Sequence, residues 1–502
     1  MIGVLDKFKV LKNGFLILVL SGTTACCNYV LAQEDNKVFS FSGSLESFTK
    51  AGFNQQSINL NEGAYPTESF STIFGKFDTE YNVLNIMQSD FITNLKFGLG
   101  VAAAGLTWDS TRHDIRDSAA NKSSGLTTGS GLNNNYIGAY FGPNSKGQYS
   151  SGAFEDSRYF MVHNAYMDLQ TKYFNIKAGR YESSMDYYTG YVQGFNIDTH
   201  FGYGDKNANP NNDIKIWWFS GFGRAFAYSQ WFLDYYFVKA TNINGKHINH
   251  GIHSFGVDIN YGGFTQNDGF KAGYNLMVRP FFWFYPGLYE APGMKIVYEN
   301  HFGNGYGIKA TLQGFVLNVH NKSDKFSDGA GGKRYDQQVD KLSENLNIIV
   351  QAFIYDYNVR IGFYKNFGSA NSHFATYGNP MGLDYWTASV YDIGASISDI
   401  ISRNSTSVYL SGGGWYETKL GTFSWDLLGR ITRSPRSNEE SIALNLNHSF
   451  KNNISLGFKI EWLRDTTKAG FNPGFNISGS SALKANRTDD RSHIFATFAY
   501  IF

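Results

Sequence analysis

The stretch FITNLKFGLGV, residues 91–101, alternates with a period of two, and this constrains the fold more than any other feature of the chain. Phe91, Thr93, Leu95, Phe97, Leu99 and Val101 fall on one side, and Asn94, Lys96, Gly98 and Gly100 on the other. A strand places successive side chains on opposite faces, so the segment reads as a strand with one apolar and one polar face. SIALNLNHSF repeats the pattern, with Ile442, Leu444 and Leu446 opposite Ser441, Asn445 and Asn447. NISLGFKIEW sets Ile454, Leu456, Phe458, Ile460 and Trp462 against Ser455, Gly457, Lys459 and Glu461. A soluble sandwich gives the same alternation. In an outer-membrane barrel the apolar face meets lipid and the polar face lines the interior.

Composition favours the barrel. Aromatic residues make up 17% of the 502, charged residues another 17%, and there are 54 glycines against 9 prolines. No uninterrupted apolar run is long enough for a transmembrane helix. The N-terminus reads as an export signal over residues 1–32. Lys7, Lys9 and Lys12 precede the apolar GFLILVL, and Val30-Leu31-Ala32 offers a cleavage site before Gln33. Both cysteines, Cys26 and Cys27, fall inside that segment, so the mature chain needs no disulfide framework. Cleavage changes 43 basic and 42 acidic residues to 40 and 41, a balance that points to no nucleic-acid partner.

The connections test the barrel, since such barrels have short periplasmic turns and long outer loops. Counting back from a C-terminus in the periplasm, 465–489 is an outer loop and Lys451–Asn453 an inner turn. The same parity puts 108–156, 321–342 and 369–405 outside. The expectation is an all-β antiparallel barrel over 33–502 with about eighteen strands, sixteen to twenty being compatible. The sixth strand is expected at 213–222, with 192–202 competing for the place, and the seventh at 226–240. The chain ends HIFATFAYIF, with Phe498, Tyr500 and Phe502 on one face. Such a strand is expected to pair with the first, to place aromatics in the periplasmic girdle, and to serve as a signal for the barrel-assembly machinery.

AGRYESSMDYYTGYVQGF, residues 178–195, resembles the region of OprD-type channels in which a Gly-Arg pair ends a strand before a constriction loop. GNPMGLDYWTASVYDIG, residues 378–394, is similar to a segment of the Helicobacter outer membrane protein family called Hof, and more distantly to Campylobacter major porins. The resemblance implies a porin-like barrel of about this strand number and leaves the solute open.

Within such a barrel the polar faces should carry Lys96, Lys177, Lys271, Arg279, Lys295, Lys309, Arg360, Arg430 and Lys459, with Arg180 lining the pore beside the constriction loop. The acids expected there are fewer: Asp168, Asp234, Glu299, Asp426 and Glu461. A basic excess on the wall attracts anions. The segment 182–212, with Asp186, Tyr187, Tyr188, Tyr191 and Asp198, is the expected inward-folded constriction loop. His247, His250 and His253 straddle a loop and a strand, a placement that splits them between faces, so no metal site is expected. DGAGGKR, 328–334, lacks the full spacing and final Ser/Thr of a phosphate loop. No hydrolase elbow or zinc-protease motif is present, and neither an enzyme nor a cofactor is expected. The expected function is passive diffusion of small hydrophilic solutes, anions among them, across an outer membrane whose lipid is the other partner. The alternative is an adhesin that uses the long loops. Neither monomer nor trimer is implied.

Overall fold

A computed structural model describes residues 38–56, 67, 69–85, 89–109, 159–203, 212–238, 240–241, 247–248, 250–320, 340–369, 400, 403–471 and 482–502. Twenty strands join one antiparallel sheet; two of them, Phe232–Phe237 and Arg487–Asp490, are short attachments, and the other eighteen close a barrel. In chain order the wall strands are β1 (Phe39–Gly52), β2 (Phe70–Asn82), β3 (Ile92–Asp109), β4 (Phe160–Thr171), β5 (Asn175–Glu182) and β6 (Tyr191–Gly202). Then come β7 (Asp213–Ala227), β8 (Ile252–Asn267), β9 (Phe270–Tyr285), β10 (Tyr289–Phe302), β11 (Tyr306–Val319) and β12 (Leu342–Ile354). The wall ends with β13 (Tyr357–Phe367), β14 (Thr406–Glu417), β15 (Gly421–Arg433), β16 (Ser437–Phe450), β17 (Ile454–Thr467) and β18 (His493–Ile501). Each pairs with its neighbours, and β18 pairs with both β17 and β1, so the sheet has no free edge.

The burial pattern inverts that of a soluble protein. Leu99, Ile361, Leu410 and Ile442 are each more than half exposed, while Asn347, Gln313, Ser407 and Thr432 are fully buried. Apolar side chains therefore point outward and polar ones inward, as lipid outside and a polar interior require. Most turns at one end are tight: Asp268 and Asn453 have positive φ, where a two- or three-residue turn reverses the chain. The opposite end carries the long connections and is the outer end.

The expected strand total is right, but the sixth and seventh wall strands differ from the expectation. The segment 192–202 is a wall strand, and 213–222 is part of the seventh wall strand, not the sixth. The expected strand at 226–240 is not in the wall. Residues Phe232–Phe237 pair back on the end of β7 and form a hairpin inside the barrel. The cause is visible in the residues. In the middle of β6 the side chains alternate as in a wall strand, with Ile197 exposed and Asp198 buried. The hairpin breaks the alternation, with the adjacent Phe232 and Leu233 both buried, because protein lies on both sides of it. The export signal, the segments 328–334 and 378–394, and the middles of the outer connections 108–156, 321–342, 369–405 and 465–489 lie outside the described residues.

Candidate lumen site

Two segments fold against the inner wall and define the site. The first is 183–190, between β5 and β6. Ser183 N donates to Gly190 O at 2.8 Å, Met185 and Tyr188 form an isolated bridge, and Gly190 takes a positive φ of 85°. Glycine adopts that conformation without strain. The turn is fastened by Asp186. Lys295 Nζ on β10 lies 3.0 and 2.8 Å from its two oxygens, Gln313 Nε2 on β11 donates at 3.2 Å, and Arg279 on β9 stands 3.6 Å away. Burial alone would raise the Asp186 carboxyl, but Lys295 and then Arg279 more than reverse this and hold it below the usual carboxylate range. Arg279 is itself oriented by two 2.7 Å bonds to Asp258 on β8, which also accepts from Trp217 Nε1.

Aromatic packing completes the anchor. The Tyr187 ring meets Phe281, Trp283 and Phe315 at centroid distances of 5.7, 5.9 and 5.5 Å. Tyr188 packs on Phe219, and its hydroxyl donates to Gly223 O. Burial pushes both tyrosine hydroxyls well above their ordinary pKa, with the Asp186 charge adding to the effect at Tyr187. Arg224 clamps the far side of the turn through Thr189 O at 2.8 Å.

The second segment is the hairpin 228–237. Phe226 and Trp231 stack at 3.8 Å, and Phe232 packs against Phe74 of β2. Thr72 Oγ1 donates to Ser229 O at 2.7 Å, and Tyr235 OH to His163 O at 2.8 Å. The hairpin thereby lies across the inner faces of β18 and β1–β4, opposite the elements that hold 183–190. Tyr228 OH donates to Glu182 at 2.7 Å, tying it to the end of β5.

The expected constriction residues separate. Asp186, Tyr187 and Tyr188 belong to the inward turn. Tyr191 and Asp198 do not lie in a loop: both are in β6, Asp198 accepting from Asn175 and facing Lys215 at 3.4 Å. The expected loop 182–212 is thus a short turn followed by a wall strand.

Lys96, Lys177, Lys271, Arg279, Lys295, Lys309, Arg360, Arg430 and Lys459 stand opposite the outward apolar positions, on inner faces. Arg180 is paired with the exposed Ala165 and departs from that phase; it lies beyond Gly179, whose φ is 119°, and reaches Tyr235 of the inward hairpin. Most are compensated. Lys96 meets Glu80 at 3.8 Å, Lys271 and Lys309 share Glu299 at 2.7 and 3.2 Å, Arg430 meets Glu439 at 2.5 Å, and Lys459 meets Glu461 at 2.6 Å. Arg430 and Lys459 are buried together with their partners. Arg360 is buried and donates to Ser411. Lys177 and Arg180 differ. Lys177 Nζ lies 4.4 Å from the Tyr166 ring centroid and Arg180 Cζ 4.3 Å from that of Tyr235, and among the described residues neither forms an ion pair. Arg180 also donates to Gln193 Oε1 at 3.2 Å.

The inner acids expected from sequence omit Asp78, Glu80, Asp258 and Glu439, and Asp234 belongs to the hairpin and not to the wall. The missed acids occupy the polar phase of their strands and were legible by alternation alone. His253 bonds Ser220 Oγ and the His250 carbonyl on the outer side of β8, beside Phe222 and Phe284. Phe498, Tyr500 and Phe502 are each about two-fifths exposed on the outward face of β18 and the residue beyond it.

The sequence profile of a family described as "Putative outer membrane protein" matches residues 25–502. No curated protein sequence matches the chain. Among solved structures, OccAB3 of Acinetobacter baumannii is similar with a TM-score of 0.55 and 10% identity, over 92% of this chain and 99% of that one. OccAB4 of the same organism gives 0.53 and 10%, over 93% and 100%. OccK2 (OpdF) of Pseudomonas aeruginosa, solved in complex with glucuronate, gives 0.53 and 9%, over 92% and 98%. At these identities the likeness is one of fold.

Proposed function

From the premise that the chain belongs to this family of outer membrane proteins, we propose that it is a porin. Small hydrophilic solutes cross it passively, through a lumen narrowed by 183–190 on one side and 228–237 on the other. The observation that carries this reading is the inverted burial of a closed eighteen-strand barrel, apolar outside and charged within. A barrel of that size is too wide for wall side chains alone to fill. The two inward segments restrict the path without forming a separate domain.

The solute class follows from charge compensation. Where a wall cation already faces a carboxylate, it adds little net attraction for an anion. Lys177 and Arg180 retain theirs, flanked by Tyr166, Tyr181 and Tyr235. A solute bearing a carboxylate or phosphate fits that position, and OccK2 was solved with such a solute, glucuronate. The finer assignment to the Hof group rests on the resemblance of residues 378–394. Export with cleavage after Ala32 is part of the same reading, and the N-terminal mass of the outer-membrane form tests it.

The decisive experiment is conductance of the purified protein in a planar bilayer, with reversal potentials under a salt gradient. Discrete ohmic openings support the proposal. A folded, inserted protein that passes no current overturns it.

A further inference from the structure

The outer face of the barrel carries a feature that solute passage does not use. On most of the lipid-facing surface the outward positions are apolar, but near the outer ends of β13–β17 three cations take those places. Lys365 follows Ile361 and Phe363 in the outward phase of β13, Arg433 follows Ile431 in β15, and Arg464 follows Trp462 in β17. The register joins them in one polar strip. Lys365 is paired across the strands with Thr406, Thr406 with Arg433, Arg433 with Asn438, Asn438 with Thr466, and Thr466 with Thr488. Arg464 stands one pair lower, opposite Glu440 and Asp490. With neighbouring strands about 4.8 Å apart, successive cations are roughly 10 Å from each other.

The side chains are held in place and remain accessible. Arg433 donates to Glu440 at 2.6 Å and to the Thr432 and Glu439 carbonyls at 3.1 and 3.3 Å, yet is 46% exposed. The pairing with Glu440 removes most of the long-range pull of Arg433 on a passing anion. A guanidinium has five N–H donors, more than these acceptors occupy, so donors remain for a phosphate in direct contact. Arg464 stacks on Trp462 at 5.2 Å and is exposed. Lys365 donates to Asn404 O and Thr406 Oγ1. Immediately beneath lie Val408, Ile431, Ile442 and Trp462, all strongly exposed. The strip therefore sits where an apolar belt gives way to headgroups, at the end of the barrel that carries the long connections.

We infer that this strip is a binding site for a phosphorylated glycolipid of the outer leaflet, with its acyl chains on the β13–β17 belt and its phosphates on Arg433, Arg464 and Lys365. The interspersed Glu440, Asp490, Asn438, Thr406, Thr466 and Thr488 suit this ligand. Carboxylates, amides and hydroxyls bind sugar hydroxyls, while guanidinium and ammonium groups bind phosphate. A purely anionic lipid surface without sugars would leave Glu440 and Asp490 in repulsion. The site depends on the outer-membrane placement of the barrel and is independent of whether solutes cross it.

The test uses the full-length protein extracted in mild detergent and a triple variant, Lys365→Gln, Arg433→Gln, Arg464→Gln. Native mass spectrometry reads the bound lipid after incubation with a phosphorylated outer-leaflet glycolipid, with its dephosphorylated form, or with inorganic phosphate alone. The wild type retains the phosphorylated lipid, and the triple variant at least about 10-fold less, since each surface cation contributes modestly to binding an anionic headgroup. Heat-modifiable folding and conductance stay at wild-type levels in the variant, which separates this result from a failure of the porin reading. Equal retention of the dephosphorylated lipid, equal retention by the variant, or binding of inorganic phosphate alone overturns the inference. A second variant, Glu440→Gln, Asp490→Asn, keeps phosphate attraction but loses sugar contacts. It discriminates less between the glycolipid and a simple anionic phospholipid, and undiminished discrimination also counts against the site.

Discussion

Gly43 and Phe502 exchange both backbone hydrogen bonds, Gly43 N to Phe502 O at 2.8 Å and Phe502 N to Gly43 O at 3.1 Å. The Phe502 ring fills the space where a side chain on residue 43 would be: an added Cβ would lie 2.6 Å from Phe502 Cζ and 2.6 Å from the Lys76 carbonyl oxygen. The ring can rotate away, but the carbonyl is part of the β1–β2 ladder and cannot. Gly43→Val therefore works against barrel closure, at about 1–3 kcal/mol for overpacking. The control is Gly429→Val, where the nearest atom, Leu410 O, is 4.0 Å away. The fraction of heat-modifiable protein in outer-membrane extracts should fall for the first and hold for the second. Deleting Phe502 removes the same two bonds and should reduce that fraction as well.

Asp186 fixes the inward turn to three wall strands, so Asp186→Asn should loosen it. Hydrogen bonds to charged groups contribute about 1.5–3 kcal/mol each, enough to raise the open population at least about 10-fold. The expected readout is larger and noisier single-channel conductance. The sign of the pH effect follows from the lowered pKa. A carboxyl held below its unfolded value contributes stability that is complete above that value and is lost only as pH falls through the folded one. Wild-type conductance should be flat from neutral pH down through the ordinary carboxylate range and should rise only below it. The Asn variant should show no such step. A wild-type transition near neutral pH would contradict the assignment.

Tyr187 and Asp186 hold one turn by different means, aromatic packing and charge. Tyr187→Ala removes a ring enclosed by Phe281, Trp283 and Phe315, a change of the kind that costs about 3–5 kcal/mol when the site does not collapse. The effects of D186N and Y187A on open probability should be strongly non-additive, because the turn detaches once either anchor is lost. Simple additivity in a double-mutant cycle would mean that the two anchors act separately.

The wall was readable because lipid and lumen impose a strict period of two. Leu99, Leu410, Ile442 and Trp462 announce their strands from sequence, and alternation also places every one of the expected basic residues except Arg180 on an inner face. Arg180 is three residues from Lys177 and reaches Tyr235 only beyond Gly179, whose φ is 119°. Alternation fails inside the barrel. In residues 226–237 adjacent side chains such as Phe232 and Leu233 are both buried because protein lies on both sides of them, so the aromatic-rich segment reads as a wall strand when only composition is weighed. Partners were hidden for a different reason. Lys271, Lys309 and Glu299 come together through register across three strands, and Asp186 reaches Lys295 across 109 positions of sequence. Nothing local in the chain records either meeting.

The pairing changes which substitutions should move ion selectivity. Arg430 and Arg360 stand on the inner wall, but Arg430 is buried against Glu439, so the pair presents no net charge to a passing ion. Arg430→Gln leaves Glu439 buried without that partner, and its main effect should be destabilisation of about 3–5 kcal/mol. Denaturation in detergent measures that cost. Lys177 and Arg180 rest on tyrosine rings and form no ion pair among the described residues. Their positive charge acts on the lumen, most strongly at low salt, where screening is weak. Lys177→Gln with Arg180→Gln should shift the reversal potential toward cations, and the shift should shrink as salt rises. The fold should be retained, since the glutamines leave the wall ladder intact. If R430Q moves the reversal potential and the Lys177–Arg180 double variant does not, charge compensation is the wrong account of this lumen.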